Sequence, residues 1–136
     1  MRRTIRAPLA ALAATLIATL ALVGAAATQS ADAAPACTIT GNNASNELNG
    51  TPGRDVICGL GGDDTLRGFG GADVIRGGGG DDIVYGGPGA DRVFGDHGED
   101  IVHTNDGVSG NDLADGGQTR GDSCRTDQAD ERVRCP

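Results

Sequence analysis

From residue 50 onward, an aliphatic side chain returns at every ninth position. Ile57, Leu66, Ile75, Val84, Val93 and Val102 form one column, and the residues between them are mostly Gly, Asp and Arg. A period of nine fits neither the 3.6-residue turn of a helix nor the continuous alternation of a long strand. The stretches between column residues are turn-formers, rich in Gly and Asp with an occasional Pro. Each period therefore reads as six turn residues followed by a minimal three-residue strand with one side chain inward. A short strand followed by a turn reverses the chain, so two periods make one coil. Successive coils then stack about 4.8 Å apart, as strands in a sheet do. The prediction is an all-β solenoid with the aliphatic column between two parallel sheets.

The units are GTPGRDVIC, GLGGDDTLR, GFGGADVIR, GGGGDDIVY, GGPGADRVF and GDHGEDIVH, running without a gap from Gly50 to His103. Position one is always Gly. Position four is always Gly (Gly53, Gly62, Gly71, Gly80, Gly89, Gly98), and position six is always Asp (Asp55, Asp64, Asp73, Asp82, Asp91, Asp100). Pro52 and Pro88 sit at position three, inside the turn, where no ladder N–H is needed. GNNASNELN (41–49) is a degenerate first unit with Asn46 in place of the Asp. After an insertion, Thr104 to Asp106, GVSGNDLAD (107–115) restores Asp112 in what reads as a shifted register. Atypical end units suit a stack whose ends must be capped. Gly does not recur every third residue, which excludes collagen, and a flexible linker would have no aliphatic column.

Composition sharpens the picture. The chain has 136 residues, 24 of them Gly, with 2% aromatics and a net charge of −8. The acid excess argues against a nucleic-acid partner. MRRTIR, an uncharged Ala- and Leu-rich run, and Ala31-Asp32-Ala33 have the form of a secretory signal peptide, residues 1–33. The expected mature chain is secreted, without a membrane segment. Removing three Arg and one Asp leaves eight basic and eighteen acidic residues, a net of −10. In an oxidising compartment Cys37, Cys58, Cys124 and Cys135 read as two disulfides. Three pairings are possible; Cys37 with Cys58 and Cys124 with Cys135 is preferred, one pair at each end of the repeats.

The solenoid geometry stacks Asp55, Asp73 and Asp91 on one edge and Asp64, Asp82 and Asp100 on the other. Like charges one coil apart repel, and a hard divalent cation between turns reverses that effect. Carboxylates with main-chain carbonyls make an all-oxygen site, which suits Ca²⁺ better than Mg²⁺. The motif G-G-x-G-x-D-x-U-x resembles the hemolysin-type calcium-binding (RTX) nonapeptide repeat over roughly residues 41–116. That resemblance implies a parallel β-roll. It also implies calcium held by the position-six carboxylates named above and by main-chain carbonyls at positions two and four, here those of Gly53, Gly62, Gly71, Gly80, Gly89 and Gly98. Position two departs from Gly in Thr51, Leu60, Phe69 and Asp96. This short chain looks more like exported repeat proteins with a C-terminal Cys pair than like the large toxins or proteases of the family.

No catalytic constellation stands out. Ser109 and Ser123 lie in turn sequence without a nucleophile elbow, and His97 and His103 read as surface residues. The expected organisation is a signal peptide (1–33), an N-terminal cap segment (34–40), a calcium-binding repeat β-roll (41–116) and a disulfide-bearing C-terminal cap (117–136). The expected function is non-enzymatic binding of calcium ions, with folding coupled to the ion. The alternative is a cell-surface structural or adhesive module, with an unidentified protein or glycan partner, in which calcium only stabilises. It rests on apolar outward positions such as Val56, Val74, Ile83, Tyr85, Phe94 and Ile101.

Overall fold

The structure, a computed structural model, describes residues 35–108 and 110–135. The expected signal peptide lies outside the described residues. Eleven short strands follow one another: β1 (Ile39–Thr40), β2 (Glu47–Asn49), β3 (Val56–Cys58), β4 (Thr65–Arg67), β5 (Val74–Gly79), β6 (Ile83–Tyr85), β7 (Arg92–His97), β8 (Ile101–His103), β9 (Leu113–Asp115), β10 (Ser123–Arg125) and β11 (Glu131–Val133). Odd strands form one sheet in chain order, even strands the other, and every pairing is parallel. This is the parallel β-roll, with one coil for every two strands.

Register follows the nine-residue period. Ile57 pairs with Ile75 and Ile75 with Val93; across the core Leu66 pairs with Val84 and Val84 with Val102. These six side chains and Ala114 are completely buried, and Ile39, Leu48 and Cys135 pack against the ends of the column. One inward residue per strand makes a thin core. The parallel ladders therefore carry much of the order, since every strand's N–H and C=O groups need partners.

Two features differ from the sequence reading. The N–H of Thr104 donates to Arg125 O (2.9 Å), as that of Gly86 does to His103 O one coil earlier. Thr104 thus holds position one, and the three extra residues swell the turn between it and Asp112. Pairing is undisturbed: Val93 meets Ala114, and Asp91 donates its N–H to Asp112 Oδ1 (2.9 Å). Asp112 is in register, not shifted. The second difference is that β10 and β11, beyond residue 116, continue both sheets. Cys124 pairs with Val102 and Arg132 with Ala114. The inward column stops there, because Arg132 is exposed and donates to Cys124 O (2.6 Å).

The disulfides are Cys37–Cys58 and Cys124–Cys135. Outward apolar positions are partly covered by their neighbours. Tyr85 stacks on His103 at 4.9 Å between ring centroids, Arg67 lies over Tyr85, and Arg76 lies over Phe94.

Candidate metal centre

Turns 50–55, 68–73, 86–91 and 104–112 line one edge of the solenoid, called here the first. Turns 41–46, 59–64, 77–82, 95–100 and 116–122 line the second. Each turn places its last residue, an Asp in all but the Asn46 turn, just before a strand whose next inward residue is two positions on. That spacing tucks the carboxylate under the turn: Asp64, Asp73, Asp82, Asp91 and Asp100 are each no more than 1% exposed.

The two carboxylate oxygens have different fates. Oδ1 accepts the main-chain N–H of the Asp one coil earlier, linking Asp55 to Asp73, Asp73 to Asp91, Asp64 to Asp82 and Asp82 to Asp100 at 2.8–2.9 Å. Asn46 donates to Asp64 in the same way (2.7 Å). Oδ2 of Asp64, Asp73, Asp82, Asp91, Asp100 and Asp112 is buried without a hydrogen-bond partner. An ionised oxygen buried without a partner is strongly unfavourable. Burial accordingly pushes these carboxyls above the ordinary 3.8, with neighbouring carboxylates adding to the rise. Asp82 reaches about 7, and Asp91, Asp100 and Asp112 about 6. Asp64 and Asp73 shift in the same direction for the same main reason.

The glycine columns make this packing possible. A Cβ at Gly59, Gly68, Gly77, Gly86 or Gly95 would run into the carboxylate of the Asp in its own unit. At position four, Gly89 has φ +142° and a Cβ there would collide with the Gly71 carbonyl oxygen of the preceding coil. Position two also takes positive φ, even where it is not Gly: Leu60 (82°), Phe69 (71°) and Asp96 (74°). Thr51 is the exception. Its N–H (2.6 Å) and Oγ1 (2.9 Å) both donate to Asp55 Oδ2, so that carboxylate is already satisfied.

Sequence reasoning missed Asp122. Ser123 pairs with Ile101, so Asp122 holds position six of a ten-residue unit. It is 3% exposed, its Oδ1 accepts the Asp100 N–H (3.1 Å), and its Oδ2 has no partner. The usable signal was Gly116, whose added Cβ would meet the Asp122 carboxylate just as in the true repeats.

Such an array of orphaned, buried carboxylate oxygens fits a hard divalent cation. Among the described residues no three His, Cys, Asp or Glu side chains converge on one point. A cation here would draw part of its shell from the main chain. Position-two carbonyls of Leu60 and Asp96 already accept N–H groups of the next coil, from Gly79 and Gln118. At position four, Gly89 O accepts Asn111 Nδ2 and Gly98 O accepts Thr119 Oγ1, each keeping a second lone pair.

The family model of the RTX calcium-binding nonapeptide repeat (4 copies) matches residues 40–73, 67–102 and 76–109. The chain belongs to this RTX repeat family. No curated protein and no solved structure gives a significant match. The RTX match ends at residue 109, whereas the ladder of Asp carboxylates continues through Asp112 and Asp122.

Proposed function

We propose that this is an extracellular, non-enzymatic protein whose β-roll folds on binding Ca²⁺ between stacked turns. The ions would be held by the carboxylates of Asp64, Asp73, Asp82, Asp91 and Asp100, together with position-four carbonyls such as those of Gly62, Gly71 and Gly80. Asp55 and the Gly53, Gly89 and Gly98 carbonyls complete the expected set, with Asp55 the least demanding because Thr51 already serves it. The observation that carries the reading is the row of buried Oδ2 atoms with no partner. Without a counter-charge, that row opposes the fold; with Ca²⁺ it becomes the donor set. Of the outward strand residues on which the adhesive alternative rests, Tyr85 and Ile101 stay exposed, whereas Val56 is buried and Val74, Ile83 and Phe94 are half-buried.

The test is circular dichroism and calorimetry on the oxidised protein, in EGTA and in excess Ca²⁺. Added Ca²⁺ is expected to produce strand signal and a measurable heat. Superimposable spectra with no heat of binding would falsify the proposal.

A further inference from the structure

We infer that the two edges are unequal: the second edge binds Ca²⁺ more tightly and fills before the first. The inference rests on the calcium reading above and adds which residues grade the sites.

The difference lies at position five. On the second edge this position holds Asp63, Asp81 and Glu99, all exposed. They form a second ladder beside the buried one: Asp81 N–H donates to Asp63 Oδ1 (3.0 Å), and Glu99 N–H to Asp81 Oδ1 (2.9 Å). These bonds run opposite to those of the buried row, where each N–H reaches the following coil. The buried row supplies the independent sign of a ligand, since Oδ2 of Asp64, Asp82, Asp100 and Asp122 are all unpartnered. The two central gaps on this edge, between turns 59–64 and 77–82 and between turns 77–82 and 95–100, are thus each flanked by two buried and two outer carboxylates, while Ser45 and Gly121 hold position five at the ends.

On the first edge position five reads Arg54, Ala72, Ala90 and Asn111. The edge begins with a cation and with Asp55 already satisfied by Thr51. Its outer acids lie only at the C-terminal end, where they tie down loop amides: Asp106 accepts Gly89 N–H, Asp127 accepts Gly107 N–H, and Asp130 accepts Gly110 N–H. A Ca²⁺ ion between turns 50–55, 68–73 and 86–91, where position five brings no acid, therefore meets less negative charge than one between turns 59–64, 77–82 and 95–100. Affinity in oxygen-ligand sites rises with the count of ligand charges.

The experiment uses the full chain, oxidised and loaded with Ca²⁺, followed by backbone amide NMR as EGTA buffers lower free Ca²⁺. First-edge turn amides (Asp73, Asp91) are expected to leave their loaded positions at about tenfold higher free Ca²⁺ than second-edge amides (Asp82, Asp100). Asp63→Asn/Asp81→Asn/Glu99→Gln keeps the oxygens that accept amides, removes the charges, and is expected to close that gap. Ala72→Asp/Ala90→Asp should close it from the other side by tightening the first edge. Simultaneous release from both edges in the parent, or a triple variant that leaves the gap intact, overturns the inference alone. Spectra indifferent to Ca²⁺ overturn the calcium reading with it.

Discussion

Asp82→Asn is expected to act with opposite sign in the absence and presence of calcium. Asp82 is 1% exposed; its Oδ1 holds the Asp64 N–H, and its Oδ2 has no partner. Asp64 and Asp100 stand on either side in the stack and both raise its carboxyl, after burial itself. Two unit charges about 5 Å apart at an effective dielectric of about 20 repel by about 3 kcal/mol. Neutralising Asp82 relieves two such repulsions, while the new amide leaves an N–H group unpaired at a cost of about 1–3 kcal/mol. The net gain for the metal-free fold is about 3–5 kcal/mol when the parent carboxyl is ionised. That condition sets the pH dependence. The folded value, about 7, lies above the ordinary 3.8, so the parent's penalty is absent below 3.8. It grows as pH rises through that window and is complete above about 7. The gain from Asn should thus be full at about pH 8 and vanish toward about pH 4. In calcium the same substitution removes a charged oxygen from two adjoining gaps, and the calcium midpoint should rise about tenfold. Folding driven by trimethylamine N-oxide in EGTA, followed by circular dichroism, measures the first effect even if the metal-free parent is unfolded. A calcium titration measures the second. A variant no easier to fold than its parent in EGTA at about pH 8 would show that Oδ2 carries no uncompensated charge.

Other expectations rest on packing. Gly89→Ala should cost the calcium-loaded protein at least about 3 kcal/mol in a denaturant melt, from backbone collision at positive φ. Gly79→Ala, where a Cβ meets nothing within 4 Å, should be near neutral; equal losses at the two sites would contradict the stacking described. Leu66→Ala, at the fully buried centre of the column, should cost about 2–5 kcal/mol by the same melt. Reducing both disulfides should lower stability by about 2–4 kcal/mol for each, and an unchanged melting curve in dithiothreitol would count against their structural role.

The repeat was readable because a fixed period projects directly onto space. Ile57, Ile75 and Val93 had to stack once nine residues made half a coil, and Asp64, Asp82 and Asp100 followed with them. Three things were not readable. The division of labour between Oδ1 and Oδ2 depends on where the neighbouring coil's N–H falls, which no residue type encodes. The placement of the extra residues near Thr104 is ambiguous in the string, because an insertion before a turn and one within it spell the same letters. Hydrogen bonding decides it: Thr104 can hold position one because the ladder needs only its N–H. Asp122 escaped notice because its unit has ten residues, and Thr119 and Arg120 break the glycine pattern that marks the others. The strand pairing of Cys124 with Val102 restores the register that the motif lost.

The covalent links at the two ends have a further consequence. In a rod whose layers touch only adjacent layers, unravelling ordinarily starts at a free terminus and travels inward. Here Cys37–Cys58 clasps the opening layers and Cys124–Cys135 the closing ones. Both ordinary starting points are shut, so disorder has to nucleate in the middle of the rod, where ion supply alone decides whether neighbouring layers stay together.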